Sequence, residues 1–91
     1  MKAAGPLDLN EGTLNALGYD LLRKGRDHDA VSVFALNVEL FPEYANGFDS
    51  LGEAWLRVGN SKEARRAYEK ALKLDPGLDS AKKALKELGK R

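Results

Sequence analysis

Residues 48–76 read FDSLGEAWLRVGNSKEARRAYEKALKLDP, and residues 14–42 read LNALGYDLLRKGRDHDAVSVFALNVELFP. Laid over one another at an offset of 34 residues, they pair Leu17 with Leu51, Gly18 with Gly52, Leu22 with Leu56 and Arg23 with Arg57. The register continues through Gly25 with Gly59, Ala30 with Ala64, Leu40 with Leu74 and Pro42 with Pro76. Similar side chains fill the gaps: Leu14 with Phe48, Leu21 with Trp55, Phe34 with Tyr68. Chance would supply about two identities over such a window at ordinary residue frequencies. The chain therefore contains one unit written twice, and a unit repeated at this period cannot close a core alone; it must stack on its neighbour.

Each copy reads as helix, tight turn, helix. Asp8 stands three residues before Glu11, a capping-box spacing that supplies acceptors for the free amides of a helix start. Leu14, Leu17, Gly18 and Leu21 then recur at helical spacing on one face. Gly25 ends that helix where positive φ is needed, and Asp27 is placed to cap the next. The second helix presents Ala30, Val33, Phe34, Val38 and Leu40 or Phe41, and stops at Pro42, which has no amide hydrogen to give a helix interior. In the second copy Gly59 is the stop, Ser61 the cap and Pro76 the terminator.

Small residues set the packing. Gly18 and Gly52 on the first helix of each pair, with Ala30 and Ala64 on the second, allow the close crossing of about 8–10 Å that helices reach over small side chains. Phe34 and Tyr68 fill the space beside it. Asn37 stands where the second copy has Ala71; buried there, it must find a hydrogen-bond partner, for which the loop around residues 43–46 is the expected source.

Phe48-x-x-Leu51-Gly52-x-x-Trp55, Ala64-x-x-x-Tyr68 and Pro76 resemble the tetratricopeptide repeat signature. The first copy resembles it as Leu14-x-x-Leu17-Gly18-x-x-Leu21, Ala30-x-x-x-Phe34 and Pro42, departing at Leu21 and Asn37. The resemblance covers residues 11–78 and implies an all-α fold, a right-handed solenoid of two helical hairpins. After Pro76, Leu78, Ala81, Leu85 and Leu88 form a narrow apolar stripe with Lys82, Lys83, Lys86 and Lys90 on the wet side. This resembles the amphipathic helix with which solenoids cover their last apolar face. A third repeat is excluded, since the offset puts Lys82 and Lys86 where Phe48 and Gly52 stood. The expected layout is five helices: a flexible tail over 1–8, a first repeat over 9–43, a second over 44–77 and a capping helix over 78–89.

Composition removes several function classes. Charged residues make up 32% and hydrophobic residues 43% of 91, as in an ordinary folded chain. With no cysteine, there is no disulfide scaffold, thiol nucleophile or cysteine-ligated metal. His28 is the single histidine and follows a helix start, where solvated histidines are common. Asp27, Asp29, Glu39 and Glu43 are spread along a helix and turn with no second cluster to close a metal cage, and no glycine-rich phosphate loop, HExxH or GxSxG occurs. The expectation is a chain without catalysis or cofactor. No apolar run approaches the ~18 residues of a membrane span, and the first residues do not resemble a signal peptide, so a cytoplasmic location is expected.

The net charge of +1 is unevenly spread: residues 1–60 carry 5 basic and 9 acidic side chains, residues 61–91 carry 10 and 5. This fits an elongated module with one polar end, head-to-tail packing of copies, or simply a solvated last helix. Lys82, Lys83, Lys86, Lys90 and Arg91 have no interleaved aromatic to stack on bases, so specific nucleic-acid binding is not expected.

The resemblance places a partner peptide or helix on the concave surface lined by the first helices of the repeats. The residues of that side outside the hairpin core are expected to be Asn15, Tyr19, Leu22 and Arg23, then Asp49, Glu53, Leu56 and Arg57, with Lys83 and Glu87 beyond. Tyr19, Leu22 and Leu56 read as a small hot spot or as packing against neighbouring helices. Asp49 and Glu53 read as a solvated pair partly neutralised by Arg57, or as an attractant for a basic segment. Chaperone-tail receptors of the family carry a carboxylate clamp; at the corresponding positions this chain has Asn15, Tyr19, Ser50, Ser80 and Ala84, without a cation, so such a clamp is not expected. The alternative to a peptide-binding module is a structural or weakly homodimerising appendage of a larger protein. The stretch Leu36-Asn37-Val38-Glu39 through Asn46, with Asp49-Ser50-Leu51-Gly52-Glu53, resembles two-repeat tails of some bacterial hydrolases.

Overall fold

A computed structural model describes residues 10–90. The expected tail over 1–8 and the Asp8 half of the capping box lie outside the described residues. Five helices follow in order: α1 (Glu11–Arg23), α2 (Asp27–Leu40), α3 (Ala45–Arg57), α4 (Ser61–Leu74) and α5 (Asp79–Leu88). Each packs on the next, α1 on α2 and α3 on α4 within the hairpins, α2 on α3 between them, and α5 on α4 at the end; α1 also touches α3. The described chain is an all-α solenoid of two hairpins and a closing helix.

The hairpin turns are the same device used twice. Gly25 and Gly59 have φ of 77° and 88°. At the first turn the Gly25 amide donates to the Leu22 carbonyl at 3.0 Å and the Arg26 amide to Leu21 at 2.9 Å. At the second, Gly59 donates to Leu56 at 3.0 Å and Asn60 to Trp55 at 2.9 Å. This is the Schellman arrangement, and it satisfies carbonyls that the helix end leaves open, at a backbone conformation only glycine adopts without strain.

The helix starts differ from expectation by one or two residues. Asn10, two residues past Asp8, caps α1, its Oδ1 accepting the Thr13 amide at 2.9 Å, and Asn60 caps α4, accepting from Glu63 at 3.0 Å. Ser61, expected as the cap, is the first helical residue, and so is Asp27; Arg26 precedes α2 without a side-chain cap bond. The two-residue offset from each turn glycine to the first helical residue puts the capping role on the residue between them. Asp27 instead adds negative charge to the first turn, where the helix dipole favours it.

The core is two clusters joined through Trp55. One gathers Leu22, Ala30, Val31, Phe34, Leu51, Ala54 and Ala67; the other Ala64, Tyr68, Ala71, Ala81 and Leu88. A Cβ on Gly52 would stand 2.8 Å from the Tyr68 ring, and one on Gly18 would overlap the Phe34 ring. Both glycines are therefore required by the crossing. Phe34 is fully buried, a contribution of about 1.5–3 kcal/mol for a side chain of its class. Asn37 is also fully buried; its Nδ2 donates to the Glu11 carbonyl at 3.0 Å, so its partner is the first turn of α1 and not the loop at 43–46.

One core expectation is overturned. Leu17 was placed with the buried residues of its helix, yet it is 46% exposed, whereas Leu51 at the same repeat position is 9% exposed. The reason lies in the stacking order. Leu51 belongs to the cluster formed with Val31 and Phe34 of α2, the helix before it, and no described helix precedes α1.

Candidate functional site

The side shared by α1, α3 and α5 is held by side-chain hydrogen bonds that run from helix to helix. The Tyr19 hydroxyl donates to Glu53 Oε1 at 2.9 Å, and Ser50 Oγ donates to the Tyr19 hydroxyl at 3.1 Å. Ser80 Oγ at the start of α5 donates to Asp49 Oδ2 at 2.9 Å. The first link joins α1 to α3, the second α3 to α5. Because Tyr19 and Glu53 occupy the same position of successive repeats, stacking brings them side by side. Tyr19 also sets its ring edge-on to Phe34, at 5.2 Å between centroids and 69° between planes. It is thus half core residue and half surface residue, with the apolar body inward and the hydroxyl on the α1–α3 seam.

Burial and acidic neighbours shape the electrostatics of this side. Burial pushes the Tyr19 phenol up to about 12; the Ser50 hydrogen bond opposes this, while the hydrogen bond to Glu53 and the charges of Glu53 and Asp49 add to it. Burial likewise raises the Asp49 carboxyl above its ordinary value, with the Ser80 hydrogen bond working against it and the Glu53 charge reinforcing it. Tyr68 is raised strongly, again mainly by burial, with Asp49 and Glu53 contributing. The Oδ1 atoms of Asp49 and Asn15 are buried acceptors with no donor among the described contacts. This side is rich in acceptors.

The eight residues expected on it divide. Tyr19, Asp49 and Glu53 meet in the network just described. Leu22 does not belong to the surface: at 3% exposure it is part of the first core cluster, so it offers nothing to a partner. Leu56 is half-buried and packs against the second cluster. Arg23 is exposed and pairs with Asp20 at 3.3 Å, outside the network. Arg57 does not neutralise Glu53. Its Nη2 donates to the Leu22 carbonyl at 3.0 Å and approaches Asp27 Oδ1 at 3.4 Å, tying the end of α3 to the first hairpin's turn. A helix-surface neighbour is thus drawn away by a better-placed carbonyl that only the folded chain provides. Ser50 and Ser80 were visible in the sequence only as clamp positions; their role as donors to Tyr19 and Asp49 had no local signal.

Among the described residues no group of three or more His, Asp or Glu side chains converges as a metal site, and no helix is long and apolar enough to cross a membrane.

The tetratricopeptide repeat family model matches residues 45–78, the stretch that forms α3, α4 and the turn after it. A wheat (Triticum aestivum) protein, the Hsp70-Hsp90 organizing protein, is 44% identical over 66 residues, which is 65% of this chain and 11% of the relative. The chain thus spans about a tenth of the length of that protein. With paired hairpins and glycine crossings on the page, residues 45–78 match a tetratricopeptide repeat, and the first hairpin repeats their pattern 34 residues earlier.

Proposed function

We propose that the α1–α3–α5 side binds a segment of another polypeptide, and that the segment carries lysine or arginine. The supporting observation is the orientation of Arg57. With its guanidinium engaged by Leu22 and Asp27, Asp49 and Glu53 lie on this side without the cation that the sequence pairs with them. An ammonium or guanidinium group brings the three to five donors that such carboxylates lack. Complementary charge of this kind selects partners and speeds encounter more than it adds raw affinity. The same chemistry disfavours a C-terminal carboxylate, which would meet two carboxylates and no cation. The module itself carries out no reaction; it holds its partner.

Fluorescence anisotropy with two labelled extended peptides tests this, one bearing Lys and Arg, the other acidic with a free C-terminus. The basic peptide should bind, weaken as salt is raised, and lose about tenfold in affinity with Asp49→Asn and Glu53→Gln together. Preference for the acidic peptide, or indifference to both substitutions, would refute the reading.

A further inference from the structure

At the elbow from α2 to α3 the sequence reads Leu40-Phe41-Pro42-Glu43-Tyr44, and at the elbow from α4 to α5 it reads Leu74-Asp75-Pro76-Gly77-Leu78. The second keeps the leucine and proline but has Gly77 and Ala45 where the first has Glu43 and Glu11. The first elbow and Glu11, at the start of α1, line an open cavity of about 410 Å³. Leu40 is 50% exposed there, the most open of the large apolar side chains among the described residues. The elbow is preformed. The Tyr44 amide donates to the Phe41 carbonyl at 3.1 Å, and the Gly47 amide to the Tyr44 carbonyl at 3.0 Å. A Cβ on Gly47 would stand 3.0 Å from the Tyr44 ring, so the ring is seated against the first turn of α3. Among the described residues no lysine or arginine pairs with Glu11 or Glu43. The cavity thus joins apolar walls to two carboxylates that have no cation.

We infer that this cavity takes one large apolar side chain of a partner polypeptide, flanked in that partner by lysine or arginine. The inference rests on the reading that the α1–α3–α5 side binds a basic segment, and it gives that site a specificity pocket. Charge complementarity selects the flanks, because an acidic neighbour of the anchor would meet Glu11 and Glu43 as a like charge. An aliphatic or aromatic anchor covers Leu40, which a small side chain leaves in water. The basic closing helix of a second copy does not supply the anchor: Leu88 is buried and Leu85 packs on the second core cluster. The cavity is continuous with the acidic side. Glu11 precedes Asn15 and Tyr19 at helical spacing on α1, and the elbow runs straight into α3. Asp49 and Glu53 follow Tyr44 by 5 and 9 residues, about 8 and 14 Å along a helix rising 1.5 Å per residue. An extended partner covers about 3.3 Å per residue, so its anchor belongs about two residues from a cation at Asp49 and about four from one at Glu53.

Fluorescence anisotropy with the full chain and two labelled extended peptides tests the inference. The first peptide carries lysines at those two spacings from a leucine that arginine flanks; the second differs only in having alanine for the leucine. The alanine peptide should bind about tenfold more weakly, the loss expected when one buried leucine is truncated. Leu40→Ser, at an exposed position, should weaken the leucine peptide and leave the alanine peptide unchanged, which places the two leucines in contact. Glu11→Gln with Glu43→Gln should cost the leucine peptide about threefold, with circular dichroism unaltered. Equal affinity for the two peptides overturns the inference, as when the cavity is filled from within the chain or by a second copy. So does a Leu40→Ser loss that falls equally on both. Asp49→Asn with Glu53→Gln separates the two readings, since it should weaken both peptides alike. If it does so while the leucine makes no difference, the basic segment stands and the pocket falls; if neither peptide binds, both fall.

Discussion

The two hairpins share a pattern and differ in circumstance. Leu51 sits under α2 and is sealed; Leu17, at the same repeat position, faces outward at 46% exposure. Gly18 and Gly52 make the same crossing under different rings. Asn37 occupies a position that holds Ala71 in the second copy, and both are fully buried. Tyr19 and Glu53, again at matching positions, become partners because stacking sets them side by side. A repeat thus specifies the inside of its hairpin, while what lies before and after decides the outside.

The sharpest break of this comparison is the leucine pair. Leu51→Ala should cost about 2–3 kcal/mol, as buried leucines do. Leu17→Ala should cost about 0.5 kcal/mol or less, since surface truncations rarely exceed that. Thermal melts read both, and equal losses would dissolve the distinction between the hairpins. The crossings come next. Gly18→Ala and Gly52→Ala add a methyl group against Phe34 and Tyr68, an overpacking of about 1–3 kcal/mol that outweighs the ~1 kcal/mol gained in helix propensity. Gly18→Ala should be the worse, because its Cβ meets its ring more closely; a rise in Tm for either would show the crossing to be looser than described.

Asn37→Ala writes the second copy's residue into the first. It removes the bond to Glu11 and leaves a small void, for a loss of about 1 kcal/mol by urea unfolding, with peptide affinity unchanged. Lost affinity at unaltered stability would make Asn37 a binding residue. The smallest effect is expected at Asp49→Asn, and it depends on pH. Because the folded Asp49 carboxyl is raised, the native state binds its proton more tightly than the unfolded chain. This group's contribution to stability therefore improves as pH falls through the folded value and levels off below the unfolded one. Asparagine removes the penalty and can still accept from Ser80, so Tm should rise slightly at pH 7 and hardly at pH 3. A rise of equal size at both would assign the effect to something other than charge.

The hairpins, their glycine turns, the glycine crossings and the closing helix were legible because each rests on a residue type whose reason is local or nearly so. Positive φ needs Gly25 and Gly59, and a close crossing needs Gly18 and Gly52. Ser61 and Asp27 lie one residue past the cap position, since serine and aspartate are capping residues wherever they occur and only the turn geometry sets where α4 and α2 begin. The proposed binding side is half legible. Helical spacing puts Tyr19, Asp49 and Glu53 on one side, where the structure also has them, but Leu22, one helical turn from Gly18, turns inward to Ala30 and Phe34.

The sequence by itself determined that like units stack along the chain, where each turns, and that an amphipathic helix follows the second. Those are properties of periodicity and of glycine and proline stereochemistry, which act within a few residues. Only the tertiary structure decided that Arg57 abandons Glu53 for a carbonyl of the first hairpin, that Tyr19 bridges two repeats, and that Leu17 is left open to solvent. The Arg57 and Tyr19 contacts follow from which surfaces meet across 30 to 35 residues of chain, a matter of stacking order and distance that no local pattern encodes.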